Sequence, residues 1–273
     1  MDRAAQRSES GQAVVEAAII LPAMIFLLLL TIQLTMLQQA RIAVEYAAFT
    51  AARAGIVFNG NNGRSQGVDD GPMWEAAVMA ILPSYGRADT FAALARTRLR
   101  FEAENRALRP LGLSQIRVAV HNPTRRDFQG GLHQHLNGQE IDFDDVRPQV
   151  VPSTLLSLQV RYLYQLRVPF ANRMIQAIWL ATRIGKQGIG GLSSWQGQDL
   201  TGPKIGGQAG VDAVTLTRGA AAGRGSQPDG IPGGLNLSGI VAASSGPRPM
   251  YLMPVNAFYT MRMQSNPFLR FAP

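Results

Sequence analysis

Residues 17–40 read AAIILPAMIFLLLLTIQLTMLQQA, without one charged side chain and with four consecutive leucines at Leu27–Leu30. As a helix this run is ~36 Å long, against ~30 Å for the hydrocarbon core of a bilayer. Lipid cannot hydrogen-bond to the backbone, so a spanning segment of this kind is predicted to be helical. Pro22 lies near its start, where a proline bends a helix without stopping it. The apolar stretch 17–37 exceeds the ~7–15 residues of a secretory signal core. No small-x-small cleavage site follows it directly; the nearest is Ala52-Arg53-Ala54. A helix buried in a soluble core normally shows charge on one side, and this one shows none. A retained single-pass anchor is therefore predicted. Arg3 and Arg7 precede it and Arg41 and Arg53 follow, so the flanks are nearly balanced. The short N-terminus favours a cytoplasmic start and a translocated C-terminal body.

On the N-terminal side, Glu16 interrupts an apolar run that begins at Ala13. A carboxylate at the centre of a spanning helix costs ~2.5–3.5 kcal/mol, and less near the interface. Glu16 is thus either solvated in the headgroup layer or matched by a partner.

On the C-terminal side the helix is predicted to continue to about residue 57. Ala43, Ala47, Ala51 and Gly55 recur at every fourth position, a stripe that permits close approach of another backbone. Ala40, Ala48, Ala52 and Ala54 broaden it. The favoured partner is the protein's own body; a helix of another subunit is the alternative. Arg41 and Glu45, four apart, can pair.

The segment Asn59–Pro72 is a loop by composition. Pro72 opens a helix whose Trp74, Ala77, Val78, Ile81 and Leu82 form one apolar face. A second helix is predicted from Asp89 to about Leu108, with Arg96, Arg98, Arg100 and Arg106 on its outside. Apolar side chains alternate in Ile116–Val120, in Leu156–Val168 and in Val255–Met263, three strands. Ser157, Gln159, Arg161, Gln165 and Arg167 make the second strand half-buried, and Pro169 ends it. Asn172–Ile184 is a further helix, either facing the core or lying at the membrane interface, where its Trp179 and flanking arginines are at home. Residues 185–249 hold 17 of the 28 glycines and read as a long mobile excursion. The fold class expected is α+β: a long transmembrane helix whose stem packs on a small antiparallel sheet with one face covered.

The chain has 273 residues, and its 46% hydrophobic content excludes wholesale disorder. Cysteine is absent, which excludes disulfides, thiolate metal sites and a cysteine nucleophile. The formal charge is +8, and 24 of the 26 basic residues are arginine, several of them within residues 96–126. With no nucleic-acid recognition motif, that face is assigned to anionic lipid or a neighbouring subunit. His133 and His135 with Asp142, Asp144 and Asp145 lack HExxH and EF-hand spacing, so a solvated acidic loop is expected and no metal. Gly185-Lys186-Gln187 lacks the remainder of a P-loop, Gly188-Ile189-Gly190-Gly191 completes no dinucleotide fingerprint, and no GxSxG elbow occurs. No cofactor and no enzymatic activity are predicted.

Gly11-Gln-Ala-Val-Val-Glu16-Ala-Ala-Ile-Ile-Leu21-Pro22 resembles the start of the TadE-like family, minor pseudopilins of the tight-adherence (Tad/Flp) pilus system. Ala48-Phe-Thr-Ala51-Ala52-Arg53-Ala54-Gly55 resembles the alanine-rich segment that closes that family's N-terminal block. The resemblance implies a leader, residues 1–11, cut between Gly11 and Gln12 by a membrane-embedded prepilin peptidase. It implies that Glu16, fifth in the mature chain, pairs with the new α-amino group of a neighbouring subunit. Two charges that are each costly in lipid are cheaper together. Major Flp pilins place tyrosine after this glutamate, whereas Ala17 stands here, which points to a minor subunit. With the leader 1–11 that the resemblance implies, the expected organisation is transmembrane helix and stem 12–57, extracytoplasmic body 58–184, glycine-rich loop 185–249, and final strand with tail 250–273. The implied setting is the bacterial inner membrane, with the body in the periplasm or pilus. Other pilin-like subunits, the pilus platform and lipid are the partners. The competing expectation is an uncleaved, signal-anchored periplasmic or cell-surface binding domain unrelated to pili.

Overall fold

The computed structural model describes residues 2–61, 64–65, 68–129, 138–145, 147, 150–188, 237–246 and 248–272. Its first element, α1 (Asp2–Val57), is one helix of 56 residues that carries Pro22 in its interior. Thr31 and Thr35 turn their hydroxyls back onto the carbonyls of Leu27 (2.9 Å) and Thr31 (3.0 Å), so these two hydroxyls are satisfied within the helix.

The two halves of α1 have different surroundings. Val14, Ile19, Leu21, Met24 and Leu28 are exposed, and none of the described residues covers the apolar window. From Gln33 onward one face is covered: Gln33, Ala40, Val44, Ala47, Ala48, Ala51, Ala52 and Ile56 are buried. Their spacing is the helical repeat, and the face they make packs on α2 (Pro72–Tyr85) and on the sheet. Alanines let α2 come close, and Thr50 bridges the two helices by donating to the Ala76 carbonyl (3.3 Å). The predicted apolar face of α2 is buried throughout: Trp74, Ala77, Val78, Ile81 and Leu82. Helix α3 (Phe91–Leu108) starts where the Thr90 hydroxyl accepts from the Ala93 N–H, and a short α4 covers Arg125–Gln129.

The sheet is antiparallel in the order β3 (Ile116–Asn122), β4 (Leu155–Gln165), β5 (Leu252–Arg262). Strand β4 is central and runs antiparallel to α1. Leu156, at its start, touches the Gly55 level, and Val168, just beyond its end, reaches Gln33. The body therefore lies along ~33 Å of the helix. At the far tip the tail closes the helix: Ser265 donates to the Ile56 carbonyl (2.9 Å) and Asn59 donates to that of Asn266 (2.7 Å). Asn59 itself takes the left-handed conformation (φ 59°) that ends many helices.

Four expectations change. The polar side of β4 is not open: Ser157, Gln159 and Arg161 are buried, with Ser157 bonded to Thr260 and Gln159 to His121. The strand stops short of Pro169: Leu166 still bonds the Tyr251 carbonyl (2.8 Å), the next position of the β4–β5 register, and the N–H groups of Arg167 and Val168 then leave the ladder for Gln33. The loop Asn59–Pro72 contains a small hairpin, β1 (Arg64–Ser65) with β2 (Val68–Asp69). The ends of the glycine-rich segment are helical: α5 runs Ala171–Gly188 and α6 runs Leu237–Ser245, with Ile240 and Ala243 packed on Leu108, Leu163 and Leu252. Positions 189–236, the bulk of the expected mobile excursion, lie outside the described residues.

Candidate functional site: the anchor helix and its junction with the body

Gly11, Gln12 and Glu16 all lie within α1. Glu16 is exposed, and its neighbours Val15, Ile19 and Ile20 are exposed apolar side chains. Along the helix, Glu16 and Gln33 are ~26 Å apart, and the side chains between them are exposed or half-covered.

Gln33 marks the junction. Its Oε1 accepts from the backbone N–H of Val168 (2.8 Å) and of Arg167 (3.1 Å). These N–H groups lie just past β4, where the ladder no longer serves them, and a buried donor needs an acceptor. Arg167 also sends its guanidinium to the carbonyl of Tyr85 (2.8 Å), tying the end of α2 to the same point. Sequence reading placed Gln33 inside the span and missed this role. The available clue was an amide directly after eight residues of which only Thr31 is polar.

The small-residue stripe has a partner within the chain. Ala47 and Ala51 are fully buried, Gly55 is buried and Ala43 is half-buried. A Cβ added at Gly55 would stand 2.5 Å from Leu156 Cδ2 and 3.0 Å from the Met73 side chain, so the glycine leaves room for α1 to pack closely on β4 and α2. Arg41 and Glu45 form the expected pair at 3.5 Å.

The arginines on α3 are not all turned to solvent. Arg98 forks onto both carboxylate oxygens of Glu75 (2.9 Å each), donates to Glu102 (2.6 Å) and lies over Trp74, 5.4 Å from the ring centre. Arg100 pairs with Glu104 at 2.9 Å. Part of the basic cluster is therefore neutralised by acids of its own body. Glu104 also accepts from the Tyr85 hydroxyl, and burial, followed by that hydrogen bond, pushes the Tyr85 phenol well above its usual range. Among the described residues no group of three or more His, Asp and Glu is placed to hold a metal. His133 and His135 lie outside those residues, while Asp142 accepts from the Asp144 N–H and Asp145 pairs with Arg147.

A helix long and apolar enough to cross a membrane, fused to an α+β body, has the build of a single-pass anchored protein. Residues 11–53 match the family model described as TadE-like protein, so the N-terminal segment of this chain is TadE-like. The match takes in Gly11, Glu16, the exposed apolar stretch, Gln33 and most of the small-residue stripe, and it stops before the body begins. No curated protein and no solved structure matches the chain.

Proposed function

We propose that this protein is a non-catalytic, membrane-anchored minor pseudopilin that acts in assembly of a Tad/Flp-type adhesive pilus. The observation that carries this reading is the TadE-like segment at residues 11–53, borne on a helix that is apolar and uncovered until the body docks at Gln33. In this reading a prepilin peptidase cuts between Gly11 and Gln12. The exposed α-amino group of one subunit is then neutralised by Glu16 of another, and α1 carries the body at the outer face of the bacterial inner membrane. Glycine before the cut suits a peptidase because its backbone has no side chain to hinder approach. Other pilin-like subunits and the inner-membrane platform are the partners.

The decisive measurement is intact mass of the protein extracted from membranes of cells with and without an active prepilin peptidase. A mature chain beginning at Gln12 only when the peptidase is active supports the proposal. A chain that retains Met1 or Asp2 in both strains overturns it in favour of a signal-anchored binding domain unrelated to pili.

A further inference from the structure

Helix α5 has one face that the described residues leave bare. Phe170, just before it, is 74% exposed, and Met174 and Ile178, one and two turns on, are 47% and 56% exposed. Ala177 and Ala181 are exposed beside them. Phe170 is moreover held in the left-handed region (φ 64°), a costly conformation for a bulky residue, with its ring facing outward.

The path of α5 explains where this face points. The helix starts at α1, three residues after Val168 is bonded to Gln33. It passes the first residue of β5, where Gln176 donates to the Leu252 carbonyl (3.3 Å). By Trp179 and Leu180 it packs with Leu163 and Ile240, on the sheet face opposite α1. α5 thus crosses the end of the sheet from one face to the other, transverse to the strands. That end is the one nearest the bare half of α1. From Val14 to Gln33 the bare helix is ~30 Å long, the thickness of a bilayer core. A bilayer spanned by this stretch ends at the level of α5.

We propose that α5 lies in the interfacial layer of the membrane that α1 crosses, with Phe170, Met174 and Ile178 among the outermost acyl-chain carbons. The proposal rests on the anchor role of α1. The occupant is a phospholipid bilayer because α5 touches α1 at the end of the body that adjoins the uncovered apolar stretch. Charge agrees with it: α5 carries Arg173, Arg183 and Lys186 and no acidic residue, a composition that favours anionic headgroups. The consequence is a second contact with lipid, which sets the tilt of the body that a single helix would leave free.

The natural chain has no cysteine, so single cysteines can be labelled cleanly. The full chain carrying Met174→Cys or Ile178→Cys is labelled with a nitroxide and reconstituted into phosphatidylcholine–phosphatidylglycerol vesicles. Collision with oxygen and with a water-soluble nickel chelate is then compared by spin resonance. Labels at Leu27→Cys and Phe58→Cys, both exposed in the protein, mark lipid and water. The expected result is an oxygen-to-nickel ratio at 174 and 178 several-fold above that at 58 and approaching that at 27. Ratios equal to that at 58 overturn the proposal. Low collision with both reagents also overturns it, since a second protein copy would then cover the face. A label at 27 that reads as water overturns the anchor reading itself, and this proposal with it.

Discussion

The Oε1 of Gln33 accepts the backbone N–H of Val168 at 2.8 Å, joining the middle of the anchor helix to the chain just past the central strand. This bond, with its companion from Arg167, fixes how far down α1 the body extends. Without it the loop leaving β4 would have a buried donor with no acceptor.

Replacing Gln33 by leucine keeps the helix apolar but strands these donors, at ~1–3 kcal/mol for a buried group left unpaired. The variant is expected to insert normally and to show a lower denaturant midpoint in detergent. An unchanged midpoint would show that water replaces the amide without loss.

Gly55→Ala places a methyl 2.5 Å from Leu156 Cδ2, so the sheet must shift or Leu156 must change rotamer. Overpacking of this kind costs ~1–3 kcal/mol. Leu156→Ala alone is also destabilising, but the double variant should be better than the sum of the two. A double-mutant cycle reads that coupling, and strict additivity would refute direct packing at this point.

Arg98 combines a two-pronged bond to Glu75 with a stack on Trp74, whereas Arg100 is a more exposed cation with a single bond to Glu104 and a looser position over Tyr85, 5.9 Å from the ring centre. Arg98→Lys should therefore be measurably destabilising, because lysine can neither fork nor stack in this way. Arg100→Lys should cost less, since its guanidinium is mostly exposed and makes no fork. Thermal denaturation of the two variants side by side checks the ranking.

Tyr85, Tyr162 and Tyr164 all have phenols raised above their ordinary value of 10.0, in each case first by burial. The folded protein therefore holds these protons more tightly than the unfolded chain. Their contribution is complete below pH 10 and is lost as pH rises past it, since the unfolded state ionises first. Denaturant midpoints across the alkaline range should fall more gently for Tyr85→Phe than for the natural protein. Parallel curves would remove Tyr85 from this account.

Glu16→Gln removes the charge proposed to receive a neighbour's amino group while leaving the helix and its insertion intact. Pilus output should fall although membrane levels of the protein hold. Normal output would leave Glu16 without the assembly role.

The local elements were legible because each is written in the spacing of its own side chains. The apolar face of α2 from Trp74 to Leu82, the alternation of β4 and β5, and the run from Ala17 are all repeats within a few residues. Legibility ended where a side chain's partner is distant in sequence. Ser157, Gln159 and Arg161 look like solvent-facing positions by alternation, yet they are buried, and Ser157 meets Thr260 across the sheet. Arg98 looks like a charge on an outer face, yet it lies across Trp74 from another helix. The helix at Leu237–Ser245 is short, and its glycine and serines obscured the apolar pair, Ile240 and Ala243, that docks it.

By itself the sequence determined that a long uncharged helix leads the chain, that its start resembles the TadE-like family, and that three alternating strands and several helices follow. Hydropathy and periodicity are properties of neighbouring residues, and they survive without any knowledge of the fold. Only the tertiary structure decided where the helix leaves its bare stretch and meets the body. That boundary depends on one amide finding two N–H groups more than a hundred residues away. It also decided that the alanine stripe is covered by the protein's own α2 and sheet and that α5 crosses the sheet's end, because both follow from how the elements pack rather than from what they are made of.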